Sequence, residues 1–278
     1  MKHREMRLPG CQEAQLYAQA WLPEREPRAV VVVSHGLAEH GGRYAPLAAR
    51  LVDRGYGVYV LDHRGHGHSS GSRANIDRFS YLVSDFATFV GRAQREHPDA
   101  ATFVLGHSMG GAVALACALR SRSGPKGLVL SAPALAPGQA VPSLKATVLR
   151  LLSKFSPNTG ALTLPAAAVS RDPAVVRAYE ADPLVYRGAV PARTLVELLD
   201  AMAAFPDAAP KLKVPVFVQH GTADSLVPLA ATRPVYERLG APKLRTVRTY
   251  DRLYHEVYNE PERERVLDDL EAWLESQH

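Results

Sequence analysis

The chain has 278 residues, 46% of them hydrophobic, and a formal net charge of +5, which suits one large α/β domain with an insertion and leaves no apolar run of the ~20 residues a bilayer span needs. The basic start Met1 to Arg7 has no apolar segment behind it, and Cys11 and Cys117 fall far apart, so a secretory signal, a disulfide and a metal site are not expected and a cytoplasmic protein is. The charge comes largely from scattered arginines with no nucleic-acid motif, leaving at most a weak attraction to an anionic lipid surface.

Apolar runs of strand length alternate with amphipathic helical patterns, which predicts a mostly parallel central sheet with helices on both faces. Residues 14–21 are expected to open the sheet as an antiparallel strand, followed by a buried strand at 29–34 (Ala-Val-Val-Val-Val-Ser) and a helix over 44–54. A strand at 57–61 comes next. Leu82, Phe86, Phe89, Val90 and Ala93 then recur at helical spacing. Strands are predicted at 102–105, 127–131, 214–218 and 244–250, with a helix from 112 to 119. The last helix opens near Pro261 and turns Val266, Leu270, Trp273 and Leu274 inward.

Between 132 and about 210 the alternation stops in a proline- and alanine-rich stretch of helices and loops without strands. The expected division is a core of 1–131 and 211–278 with 132–210 as a cap over the carboxyl ends of the strands, where such sheets bind ligands. Leu144, Val148, Leu151, Leu152 and Phe155 form an apolar stripe there. Two readings stay open for it: packing on the core, or a lid facing lipid or an acyl chain.

The chemistry centres on Gly106-His107-Ser108-Met109-Gly110, a G-x-S-x-G between a strand and a helix. In that setting the small residues permit a strained turn that presents the serine hydroxyl at the helix N-terminus. Gly67-His68-Ser69-Ser70-Gly71 has the same spelling but starts no helix, so Ser69 reads as loop and Ser108 as nucleophile. A serine needs a base and an acid to orient that base, supplied in this architecture in the order serine, acid, histidine from loops after later strands. Asp224 and His255 stand where that order demands. Asp251 and Glu256 are rivals for the acid, though both lie too near His255 in sequence. The oxyanion donors are expected to be the backbone N–H of Met109 and that of Leu37, in the loop after the first parallel strand.

With these residues placed, the chain resembles the monoacylglycerol lipase family of α/β-hydrolases over most of its length. The resemblance is carried by 35–44 (His-Gly-Leu-Ala-Glu-His-Gly-Gly-Arg-Tyr), 62–69 (Asp-His-Arg-Gly-His-Gly-His-Ser), the elbow, 170–173, 182–184, 220–224 and 254–256. It implies an α/β-hydrolase fold with a cap, and hydrolysis of one fatty acyl ester from glycerol through an acyl-enzyme on Ser108, with no metal or organic cofactor. It also implies that the polar head is held by residues matching Glu39, Arg43 and Tyr179. Read from the residues alone, Glu39 and Arg43 are four apart and equally suit an ion pair bracing the oxyanion loop. The 62–68 loop, despite its three histidines, reads as a brace rather than a metal site. Animal members carry a further histidine where this chain has Tyr258.

The expected partner is therefore a small lipid ester, with transient lipid-surface contact through the cap and no nucleic acid. Alternatives within the class are a lysophospholipase or a broad carboxylesterase; a proline iminopeptidase is disfavoured because nothing captures a free amino terminus. A different class, a non-catalytic ligand-binding α/β-hydrolase, has no need of a full serine, aspartate and histidine set.

Overall fold

The computed structural model describes residues 1–121, 124–138 and 143–277. Residues 139–142, inside the segment expected to be a cap, lie outside the described residues. The chain opens with strands β1 (Lys2–Pro9), β2 (Gln15–Leu22) and β3 (Ala29–Ser34). It then alternates through α1 (Ala45–Asp53), β4 (Tyr56–Leu61), α2 (Phe79–Glu96), β5 (Ala101–His107), α3 (Met109–Arg120) and β6 (Gly127–Ser131). The β6 to β9 connection holds α4 (Ser143–Phe155), β7 (Gly160–Leu162), α5 (Pro173–Ala181), β8 (Val190–Pro191) and α6 (Ala192–Ala208). The pattern resumes with β9 (Val216–Gly221), α7 (Leu229–Tyr236), β10 (Arg245–Tyr250) and α8 (Arg263–Ser276).

Eight strands form one sheet in the order β1-β2-β4-β3-β5-β6-β9-β10. β1 and β2 run antiparallel to their neighbours, and every pairing from β4 to β10 is parallel. The two-residue side-chain period sends Val30 and Val32 to one face, against α2 and α3, while Val31 and Val33 go to the other, against α1 and α8. All four valines are fully buried. Each contributes roughly 1.5–3 kcal/mol, so a strand covered on both faces reads as a continuous apolar run rather than an alternating one.

The fold differs from expectation in three places. The sheet opens with β1, one strand earlier than predicted, because Lys2, Arg4, Glu5 and Arg7 are mostly exposed on an edge that charge protects from further pairing. The β6–β9 connection is not strandless: Gly160–Leu162 pairs antiparallel with Val190–Pro191. Strands of two and three residues are too short to leave a period, and Pro191 is tolerated at such an edge. Helix α7 was not anticipated, since Pro234 inside it interrupts the helical signal. Among the described residues no helix is long and apolar enough to cross a membrane.

Candidate active site

Ser108 sits between β5 and α3 with φ 53° and ψ −121°, a conformation that costs a non-glycine residue about 1–3 kcal/mol. The surrounding backbone over-determines it. Ser108 N–H donates to Ser131 O (3.0 Å), and Ser108 O accepts from Gly111 (2.9 Å) and Ala134 (2.9 Å). The flanking glycines are steric requirements: a Cβ at Gly106 would stand 2.4 Å from Gly110 O, and one at Gly110 would stand 2.1 Å from Ser34 O. The elbow is thereby pressed against the end of β3. Ser69 is spent elsewhere, its Oγ donating to Asp62 O (2.6 Å) and accepting from Tyr17 N (2.9 Å).

The loops after β9 and β10 bring Asp224 and His255 together. His255 Nδ1–H donates to Asp224 Oδ2 (2.7 Å), while Asp224 Oδ1 accepts from Leu226 and Val227 N–H, each at 2.9 Å. Burial alone would raise the Asp224 carboxyl. The His255 charge and hydrogen bonds from His220 and His255 instead hold it well below the usual carboxylate range. Burial alone would likewise lower His255, but Asp224, aided by Glu256 and Glu39, lifts it above the ordinary imidazole value. The rivals are engaged elsewhere: Asp251 with Thr222, and Glu256 with Arg43.

His220 was not singled out in the sequence. Its Nε2 faces Val227 O (2.8 Å) and Asp224 Oδ2 (3.1 Å), and its Nδ1 accepts from Tyr236 OH (2.7 Å). Strand alternation was the available signal, since His220 and Asp224 bracket the end of β9 four residues apart.

Ser108, His255, Met109, Gly36 and Leu37 all line one cavity of about 840 Å³. A Cβ built on Gly36 would be 3.3 Å from Ser108 Cβ, which measures how closely the loop after β3 approaches the elbow. Met109 is the first residue of α3, so its N–H has no partner within the helix. The remaining walls come mainly from α4 and α6, among them Val148, Leu152, Leu198 and Met202.

Glu39, Tyr179 and Glu256 also line this cavity, but Arg43 does not; it lines a smaller one of about 250 Å³ behind Glu39, His107 and Glu256. Arg43 is gripped from three sides. It donates to Glu39 Oε2 (2.7 Å) and to both Glu256 oxygens (2.7 Å each), and lies 4.8 Å from the Tyr179 ring centroid. Glu39 Oε1 accepts from Gly36 N–H (2.6 Å) and Tyr44 OH (2.8 Å). Burial would raise the Glu39 carboxyl, and Arg43 holds it below its ordinary value. The ion pair therefore braces the loop after β3. Tyr258 donates to Gln219 Oε1 (2.6 Å) and borders the smaller cavity.

Residues 25–262 match the family described as serine aminopeptidase, S33. Over 256 residues the chain is 43% identical to a monoacylglycerol lipase of Mycolicibacterium smegmatis, covering 92% of this chain and 91% of that one. The chain belongs to the monoacylglycerol lipase family of α/β-hydrolases. Another relative, the monoglyceride lipase of Mus musculus, is 33% identical over 93% of this chain and 86% of its own. The crystal structure of a Paleococcus ferrophilus monoacylglycerol lipase superposes with a TM-score of 0.81 at 29% identity, covering both chains completely. As a member of the family, the chain is a carboxylic ester hydrolase.

Proposed function

We propose that this enzyme hydrolyses monoacylglycerols to glycerol and a free fatty acid through an acyl-enzyme on Ser108. The observation that carries the reading is how polarity is distributed in the 840 Å³ cavity. Glu39, Tyr179 and Glu256, drawn together by Arg43, stand beside His255, while α4 and α6 contribute mostly leucine, valine and methionine. A small polar head at the reacting ester and one acyl chain beyond it fit that arrangement. Names of the relatives support the same substrate class.

His255 takes the Ser108 proton as Oγ attacks the ester carbonyl carbon, and Asp224 stabilises the imidazolium that forms. The Leu37 and Met109 N–H groups receive the developing oxyanion, each worth roughly 3 kcal/mol at the transition state. Collapse of this intermediate breaks the ester bond and His255 returns the proton to the departing glycerol oxygen. Water, deprotonated by His255, then releases the fatty acid and restores Ser108. Glu39 and Tyr179 meet the glycerol head, with Arg43 fixing both from behind. In this reading 132–210 is the cap. Exposed Leu151 and Phe155 on α4 give it an apolar face for a lipid surface.

The test is a panel of esters differing in head group and acyl length, run beside Ser108→Ala. Turnover should be fastest on monoacylglycerols and abolished in the variant. Preference for triacylglycerols or lysophospholipids would overturn the substrate assignment, and an active Ser108→Ala would overturn the nucleophile.

A further inference from the structure

Gly36 has no side chain to resist rotation of the peptide that follows it, yet that peptide carries the Leu37 N–H. A trans peptide unit points its C=O and N–H in opposite directions, and every peptide bond among the described residues is trans. Whatever holds the Gly36 carbonyl therefore aims the Leu37 N–H. The group that does so is His35. Its Nδ1 lies 2.7 Å from Gly36 O, and its Nε2 lies 2.9 Å from the backbone nitrogen of His63. A carbonyl only accepts and an amide N–H only donates, so Nδ1 carries the proton and Nε2 the lone pair. One neutral tautomer satisfies both contacts.

The surroundings lock that ring. His35 is fully buried, with its centroid 4.6 Å from the His63 ring and 5.4 Å from the His66 ring. His63 is held in turn by a 2.8 Å hydrogen bond between its Nε2 and Ser34 Oγ. Burial pushes the His35 imidazole well below its usual range, which keeps the required neutral form. Glu39 fixes the preceding peptide through the Gly36 N–H, so each peptide flanking Gly36 has its own clamp.

The geometry points to His35 as the positioning residue of the oxyanion hole, acting through the Gly36 carbonyl to present the Leu37 N–H to the acyl oxygen. This rests on the serine-esterase reading above. The hydrogen bond matters only when negative charge develops on that oxygen, so its loss is expected in kcat rather than in KM.

Two substitutions separate this role from simple packing. In His35→Asn the amide nitrogen falls near the position of Nδ1 and still donates to Gly36 O. In His35→Gln the amide reaches the Nε2 position, accepts from His63 N–H and leaves Gly36 O without its donor. His35→Gln should lose about 100-fold in kcat with KM within about twofold. His35→Asn should keep at least about a tenth of wild-type kcat. A boronic acid that forms a tetrahedral adduct on Ser108 should lose affinity in parallel with kcat, while both variants unfold at similar temperatures. Equal losses in the two variants, or wild-type kcat in His35→Gln, would overturn the proposal. Ser108→Ala in the same assay separates the two conclusions. If it is inactive while His35→Gln is unimpaired, only the positioning role fails; if it is active, the serine-esterase reading fails.

Discussion

In the proposed mechanism His255 accepts the Ser108 proton only while its imidazole is neutral, and the structure makes neutrality harder to reach than in water. The buried Asp224 carboxylate, 2.7 Å away, favours the charged form and lifts His255 above the ordinary 6.5. For a base that must be unprotonated, kcat/KM rises with pH through this raised value. The acid limb of a kcat/KM profile on a neutral soluble ester should therefore inflect above pH 6.5. An inflection at or below that value would mean that Asp224 does not act on His255 as the geometry implies. Asp224→Asn removes the charge and permits the wrong tautomer, so its turnover should drop by a factor on the order of 10⁴. Near-normal turnover would return the acid to Asp251 or Glu256, at the expense of the Thr222 and Arg43 contacts those groups now make.

At the level of elements, α4 is divided between two environments. Val148 and Leu152 line the main cavity, whereas Leu151 and Phe155 are 52% and 75% exposed and line none of it. Burying two such side chains in lipid contributes roughly 1.5–3 kcal/mol each. The paired change Leu151→Asp and Phe155→Asp should therefore slow hydrolysis of vesicle-borne monoacylglycerol at least about tenfold and leave a soluble short-chain ester untouched. Equal rates on vesicles would remove the lipid-facing role. The stripe itself was legible in the sequence from its helical spacing, but its direction was not, because spacing cannot say what lies opposite. The same limit explains the rest. β3, β4 and β6 were legible because both faces are buried, and Asp224 and His255 because strand order places them. Glu39 and Arg43 were visible as an i, i+4 pair, but Glu256, the bidentate partner, lies 213 residues from Arg43 and only folding joins them. Likewise, the 62–68 loop with His63, His66 and His68 could be read as a brace, while the contacts of His63 and His66 with His35 depend on the pairing of β3 with β4.

Considered as one body, the molecule stores an unusual number of neutral imidazoles beneath its catalytic end. His35, His63, His66 and His107 are all buried, and burial lowers each of them, His66 and His107 to about 4. The unfolded chain binds protons at these groups near pH 6.5 and the folded chain does not, so their contribution to stability is complete above 6.5 and lost as pH falls. Each excluded proton removes about 1.4 kcal/mol per pH unit, or on the order of 5 kcal/mol per unit for all four. Other groups of the site do not cancel this. His255, raised in the fold, contributes stability that is already complete below 6.5, and Asp224, lowered in the fold, gives up its share only as pH drops below its ordinary 3.8. Against a total stability of roughly 5–15 kcal/mol, the histidines dominate the window between. Denaturant unfolding measured stepwise from pH 7 to 4 should show stability falling steeply below 6.5, with cooperative acid unfolding at about pH 4–6. A flat unfolding free energy from 6.5 to 4.5 would mean that these imidazoles take up protons within the fold, and His35 with them, whose Nε2 would then lose the hydrogen bond it accepts from His63 N–H before the protein unfolds.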